Sequence, residues 1–91
     1  MHSPPDRSTI TLGRHVIART ASPFLTAVLF AGNTTAGATD SPDGAGYWSG
    51  QTQGRRVPAV TFAEAIRRAS IDAGLSPEYI EEAIAFATEG T

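Results

Sequence analysis

Signals for the start and end of two helices occupy the C-terminal third of the chain, and no other part of the sequence restricts the fold as strongly. Thr61-Phe62-Ala63-Glu64 is a capping box: the Thr61 hydroxyl can accept from the amide of Glu64, whose carboxylate can reach back to the amide of Thr61. Gly74 suits the left-handed residue that ends a helix, and Ser76-Pro77 suits the start of the next one. The spacing predicts two helices, at residues 61–73 and 77–88.

Each predicted helix carries an apolar stripe that has to be buried. The stripes consist of Phe62, Ile66, Ala69 and Ala73 in the first helix and of Ile80, Ala83, Ile84 and Ala87 in the second. Val60, just before the capping box, is expected to staple the first turn, and Leu75 is placed for the contact that accompanies a glycine stop. We therefore expect the helices to pack on each other at an angle.

Alternation of apolar and polar residues precedes the helices. Ile10, Leu12, Val16 and Ala18 fall on even positions of residues 8–18, a pattern that predicts one half-buried strand. Residues 24–31 form a short apolar run that fits either a strand buried on both faces or a short buried helix. We interpret residues 8–31 as a strand pair.

The middle of the chain is poor in bulky residues. Residues 33–46 are mostly Gly, Ala, Ser, Thr, Asn, Asp and Pro and predict a flexible loop, whereas residues 47–60 predict short strands around a turn at 50–54. The predicted fold is α+β in a single small domain, residues 1–91. A small antiparallel sheet of two to four short strands is followed by two C-terminal helices packed on it.

A second interpretation treats the first 38 residues as a secretory signal peptide. Its positive region, apolar region and cleavage site would be Arg14 with Arg19, residues 24–32, and Ala36-Gly37-Ala38. The apolar region is short and Pro23 opens it, so the first expectation is a cytoplasmic protein and the alternative is secretion after cleavage near Ala38. No run approaches the ~20 apolar residues of a transmembrane helix, so no membrane association is expected.

The residue types that carry most enzyme chemistry are scarce. The chain has no cysteine, which excludes disulfides, thiolate nucleophiles and zinc–thiolate sites. His15 is the only histidine besides His2, and no spacing supports a catalytic triad around it. Glu78 and Glu82 share a helix face, but without a nearby histidine a solvated face is expected there. We predict that the protein is not an enzyme and has no cofactor and no metal site.

The charge is unevenly distributed along the chain. Residues 1–60 carry five arginines and three aspartates, whereas residues 61–91 carry two arginines and six acidic residues, so the net charge of −2 divides into +2 and −4. The helical end is therefore the acidic end. A positively charged partner surface would be steered towards it.

Two groups of residues are candidates for contact with a partner protein. Tyr47, Trp48, Arg55 and Arg56 form an aromatic–arginine group of the residue types enriched in binding hot spots. The single tryptophan of a small domain also suits the core, so both interpretations of Trp48 stay open. The second group is acidic and lies on the second helix: Glu78, Glu81 and Glu82.

Two resemblances bear on function. Ala69-Ser70, Ala73-Gly74-Leu75 and Ile80 resemble a helix-turn-helix, over about 20 residues. That resemblance implies a DNA-binding regulator. However, the second helix has three glutamates and no basic residue, so the attraction to DNA phosphates would be missing. A strand pair followed by Thr-Phe-Ala-Glu-Ala-Ile-Arg-Arg-Ala also resembles small αβ antitoxin and phage-type proteins, from which no residue role is carried over.

The leading functional hypothesis is a non-catalytic protein-binding module. Small size, few catalytic groups, the acidic helical end and the aromatic–arginine group motivate it. One form of the hypothesis is a phage- or mobile-element-encoded inhibitor of a host defence protein, of the anti-CRISPR-like kind. The alternatives are a helix-turn-helix DNA-binding regulator and a small secreted protein that loses residues 1–38. A nucleic-acid partner is disfavoured, and a homo-oligomer is compatible with the sequence.

Overall fold

Short turns divide the first two thirds of the chain into strands, and two helices follow. The computed structural model describes residues 8–20, 24–50 and 55–89. The strands are β1 (Thr9–Leu12), β2 (His15–Thr20), β3 (Thr26–Ala31), β4 (Thr34–Thr39), β5 (Gly46–Ser49) and β6 (Val57–Ala59). The helices are α1 (Phe62–Asp72) and α2 (Pro77–Thr88).

The strands form one antiparallel sheet in which neighbours in sequence are neighbours in space. On one face of this sheet, α1 packs against β3 to β6 and α2 packs against β1 and β2. The predicted α+β order of a sheet followed by two helices is confirmed. The predicted number of strands is wrong, because the described residues contain six strands instead of two to four.

One additional strand comes from a hairpin inside residues 8–18, which had been predicted to be a single strand. Gly13 adopts a positive φ of 64° and forms a two-residue turn with Arg14, the residue at which the alternation breaks. Leu12 is therefore paired with His15, and both side chains are buried on the helical side. The turn shifts the phase of the alternation by one residue. Val16 and Ala18 consequently lie on the opposite face from Leu12.

A second additional strand, β4, lies within residues 33–46, the predicted flexible loop. Gly32 has a φ of 59° and, with Asn33, turns the chain from β3 into β4. The side chains of Ala36 and Ala38 are buried because α1 packs directly on β4. Small residues suit this position because they let the helix approach the sheet closely. The loop prediction is therefore wrong for Thr34–Thr39.

The remaining part of that segment, between β4 and β5, is closed by a local hydrogen-bond network. The carboxylate of Asp43 accepts from the Ser41 hydroxyl at 2.5 Å and from the Ala45 amide at 3.1 Å. These two bonds, the Ser41 bond foremost, lower the pKa of Asp43 below its usual value. The predicted turn at 50–54 lies outside the described residues except for Gly50, while β5 and β6 on either side of it pair antiparallel.

The helices follow their sequence signals closely. The Thr61 hydroxyl accepts from the Glu64 amide at 3.1 Å, which confirms that half of the capping box. The Glu64 carboxylate pairs with Arg68 at 2.9 Å. Gly74 has a φ of 81° and ends α1, and the amide of Leu75 donates to the Ser70 carbonyl at 3.0 Å.

The expected staple at Val60 is wrong. Val60 is 83% exposed and therefore does not pack against the first turn of α1. Proline at the first position of α2 is confirmed, and Ser76 makes no side-chain cap hydrogen bond. No helix within the described ranges is long and apolar enough to cross a membrane.

Two apolar clusters form the core between sheet and helices. One joins Leu12, Ile17 and Leu29 to the α2 residues Ile80 and Phe86. The other joins Ala27 and Ala38 to the α1 residues Phe62 and Ile66. Trp48 and Ile84 pack against both clusters and connect them. A buried hydrogen bond from His15 Nε2 to the Ala73 carbonyl, 2.8 Å long, also fixes the end of α1 to β2.

We expect Gly46→Ala to destabilise the protein strongly. A Cβ at this position would overlap the Thr61 carbonyl and would lie 2.9 Å from Phe62 Cα, so the start of α1 would have to move away from β5. The free energy of unfolding should fall by roughly 1–3 kcal/mol, measured by urea denaturation. Ser49→Ala, on the outer side of the same strand, is the control and should change little. An unchanged midpoint for Gly46→Ala would contradict this close packing.

In contrast to Gly46→Ala, the Ser70→Ala substitution should stabilise the protein. The Ser70 hydroxyl is fully buried and has no hydrogen-bond partner among the described residues, so it is desolvated without compensation. Its removal should raise the free energy of unfolding by about 1 kcal/mol. Thr61→Ala, which removes the cap of the same helix, should lower it by about 1 kcal/mol. If both variants were destabilised, a hidden partner for the Ser70 hydroxyl would be indicated.

Candidate protein-binding surface

The aromatic–arginine group predicted from the sequence is divided between the two faces of the sheet. Tyr47 and Trp48 are consecutive in β5, and consecutive strand residues point to opposite faces. Trp48 points to the helices and packs against both core clusters, which supports its role in the core. Tyr47 points away from the helices.

The side of the sheet opposite the helices, here called the open face, has no helix packed on it within the described residues. Its centre is formed by the side chains of Val16, Ala18, Val28 and Phe30, where Val16 is paired with Phe30 and Ala18 with Val28. The threonines Thr9, Thr11, Thr20, Thr26, Thr35 and Thr39 surround this centre. Phe30 is 38% exposed and, opposite Val16, adds an aromatic ring to this apolar centre.

Charge is absent from the part of the open face that the six described strands supply. Strand residues that face water on one side of an antiparallel sheet are commonly polar and often charged. Here they are threonine, serine, glycine, proline or apolar residues, together with Tyr47. A partner could therefore cover this surface without desolvating a charged group of the sheet.

A shallow hollow lies on the open face where Gly37 replaces a side chain. Its volume is about 210 Å³, and its lining includes Val28, Gly37, Thr39, Tyr47 and Arg56. The Arg56 guanidinium lies over the ring of Tyr47, 4.4 Å from its centroid. This cation–π contact holds one positive charge at the edge of an otherwise uncharged surface. Arg55, the preceding residue, is also exposed. Among the described residues, its guanidinium stacks on neither Tyr47 nor Trp48.

The acidic group on α2 also separates into different environments. Glu81 forms an ion pair with Arg67 at 2.7 Å and so connects α2 to α1. Glu82 lies beside a groove between α2 and β1, and Glu78 is exposed one turn earlier. The seven predicted residues therefore do not form one site.

The residues that sequence reasoning missed are the four at the centre of the open face. The alternation in the sequence predicts that Val16 and Ala18 lie on the same face as Ile10 and Leu12, because all four have the same parity. A Gly-Arg turn at 13–14 was the available signal, since a two-residue turn reverses the parity of the strand that follows it. Phe30 belongs to the 24–31 run, whose alternation is hidden by apolar residues on both faces.

The histidine and carboxylate side chains of the described ranges do not gather into a metal site. Within the described ranges, no group of three His, Asp or Glu residues is close enough to hold a metal ion. The one described histidine, His15, is buried and hydrogen-bonded to a backbone carbonyl. Comparison with known proteins finds no matching family model, no matching curated protein and no matching solved structure.

We expect Trp48 and Tyr47 to differ sharply in their effect on stability. Trp48→Ala should lower the free energy of unfolding by about 3 kcal/mol, because it opens a cavity between the two core clusters. Tyr47→Ala should change it by less than about 1 kcal/mol, because it removes mainly an exposed ring contact. Thermal or urea unfolding of both variants tests this difference. Equal losses would show that Tyr47 also has a core role.

Proposed function

We propose that this protein is a non-catalytic protein-binding module and that the open face is its binding surface. The observation that carries this proposal is an apolar centre in which Phe30 is exposed and Val16, Ala18 and Val28 are half-buried, on a sheet face where the described strands place no charged residue. Apolar surface released from water is the main source of association free energy. A face of this kind can bind a partner without the cost of burying charge.

The hollow at Gly37 indicates the chemistry of the partner. A hollow with an apolar wall at Val28 and an aromatic wall at Tyr47 suits an apolar side chain of the partner. The guanidinium of Arg56 at its edge suits a carboxylate next to that side chain. We therefore expect a partner with a flat apolar surface and at least one acidic residue at its edge. A small protein that binds in this way acts by occupying a surface, as an inhibitor or an adaptor does.

No observation favours the DNA-binding alternative. Exposed residues of α2 include Glu78, Glu81 and Glu82, and the two arginines of α1 are already ion-paired to Glu64 and Glu81. A recognition helix with this charge would repel phosphates. The open face itself presents one arginine that stacks on tyrosine, which is too little positive charge for a nucleic-acid surface.

Site-specific photocrosslinking in the native cell tests the proposal. A benzophenone amino acid replaces Phe30 on the open face, and in a matched control it replaces Ile71, which is 60% exposed on α1. We expect one cellular protein to be crosslinked from position 30 and not from position 71. Adducts shared by both positions, or an adduct of two copies of this chain, would contradict the proposal.

Charge reversal then tests the chemistry of the complex with the crosslinked protein. Arg56→Glu should weaken that complex roughly tenfold, because a guanidinium facing a carboxylate is replaced by a like charge. Arg14→Glu makes the same change of charge in the exposed β1–β2 turn and should leave the affinity within about twofold. Equal affinity of the two variants would show that Arg56 does not belong to the binding site.

A further inference from the structure

The two edges of the sheet differ in their capacity to accept another strand. The strand at one edge, β6, is three residues long and contains Pro58, and both features disfavour pairing with a further strand. The strand at the other edge, β1, has four residues, Thr-Ile-Thr-Leu, without proline or charge. Of the two edges, β1 is therefore the more accessible to an added strand, because it has no proline and is one residue longer.

The register shows which backbone groups of β1 point outward. The amide of Arg19 donates to the Ser8 carbonyl at 2.9 Å, so these opposed residues form a hydrogen-bonded pair. Opposed residues in an antiparallel pair alternate between bonding each other and pointing away. Ile10 and Leu12 therefore bond inward to β2, whereas the N–H and C=O groups of Thr9 and Thr11 point outward. Within the described ranges, no strand pairs with β1 on that side.

A groove follows this edge on the helical side. Its volume is about 300 Å³, and it lies between β1 and α2. Ile10, Leu12 and Phe86 supply an apolar floor, and Glu82 and Glu89 supply carboxylates at its rim. Glu89 is 3.3 Å from Arg19, whereas Glu82 makes no ion pair with a described residue.

The position of α2 keeps this groove beside the whole of β1. Tyr79, near the start of α2, lies next to Gly13 in the β1–β2 turn. Near the other end of α2, the Arg19 guanidinium stacks on the Phe86 ring, 4.0 Å from its centroid, and donates to the Phe86 carbonyl at 2.6 Å. The helix therefore runs along β2 and β1, and an added strand would lie under its outer side.

We propose that β1 accepts an extended segment of a partner protein as an additional strand, with arginine or lysine at the positions that face α2. The backbone groups of Thr9 and Thr11 would bond the segment. The aliphatic parts of its basic side chains would cover the half-buried Ile10, and their charged ends would reach Glu82. The side chains of Thr9 and Thr11 belong to the open face, but strand addition uses their backbone groups and the groove beside α2, so either proposal can fail without the other.

Charge distinguishes this occupant from a second copy of the chain. Two β1 strands paired about a twofold axis would bring two α2 helices side by side on the same side of the joined sheet. The Glu82 carboxylates of the two copies would then approach each other, and the acidic residues around them would add to the repulsion. A basic segment meets the same carboxylates with attraction.

Titration of the isotopically labelled protein with a synthetic peptide tests the inference. The probe is a peptide of about seven residues, long enough to span β1 at ~3.3 Å per residue, with arginine at every second position and threonine or valine between. We expect the amides of Thr9 and Thr11 to shift and to become protected from hydrogen exchange. A peptide with glutamate in place of arginine is the matched control and should not bind. Absence of binding at about millimolar peptide would overturn the proposal.

Two pairs of variants separate the backbone contribution from the charge contribution. Thr11→Pro removes an outward N–H without breaking a bond to β2 and should weaken binding roughly tenfold, whereas Thr11→Val keeps the N–H and should bind normally. Glu82→Gln should weaken binding about threefold, and Glu64→Gln, on α1, should have no effect. Circular dichroism checks that each variant is folded. Unchanged affinity of both Thr11→Pro and Glu82→Gln, or protection of the Thr9 amide that rises with protein concentration alone, would overturn the proposal.

Discussion

The close approach of α1 to β4 and β5 is the constraint on which the rest of the structure depends. Gly46 lies directly below the Thr61–Phe62 peptide, and no side chain fits between them. Ala36, Ala38, Ala65 and Ala69 are buried in the same region, so helix and sheet meet through their smallest residues. Because α1 lies so low on β4 and β5, the larger residues Ile17, Leu29, Ile80 and Phe86 can fill the space under α2. Trp48 connects the two regions, and a single core results.

In that arrangement, both helices pack on the same side of the sheet. Helices of 11 and 12 residues span about 17–18 Å at ~1.5 Å per residue, and their apolar stripes are buried against the strands and each other. Nothing in the described part of the chain is left to cover the second side. The threonines on that side are compatible with contact with water, as expected for an outer sheet face. For Phe30 and its neighbours Val16 and Val28, contact with water is unfavourable because their side chains are apolar. The open face is thus a consequence of the number of elements, and its apolar centre is what requires a functional explanation.

The sequence predicts the helices well and the strands poorly, and the reasons are physical. Capping residues act within one turn, so Thr61, Gly74 and Pro77 define helix ends without reference to the rest of the chain. A strand of small residues such as β4 has no such local signal, because Ala36 and Ala38 are buried by a helix that is far away in sequence. The alternation in residues 8–18 looks continuous in the sequence and does not reveal the hairpin at Gly13. The two-residue turn moves the even-numbered residues that follow it to the other face of the sheet. The search for aromatic residues and arginines therefore located only the margin of the open face, Tyr47 and Arg56, whereas Val16 and Ala18 at its centre depend on that shift.

The fold places the unevenly distributed charges of the sequence at particular edges of the sheet. Glu78 and Glu82 on α2, and Glu89 just after it, lie at the β1 end of the sheet, whereas Arg55 and Arg56 lie at the β6 end. The β1 end also carries Arg14 and Arg19, and Arg19 is paired with Glu89. Between these edges, the open-face residues of the described strands are uncharged, so a partner at the β1 edge and a partner near Arg56 would meet different electrostatic fields. The proline in β6 strengthens this asymmetry because it directs strand addition to the acidic edge. A partner that contacts the open face near Arg56 and a basic segment that extends β1 would approach from different sides, and both could be bound at the same time. If both proposals hold, the protein joins two protein surfaces.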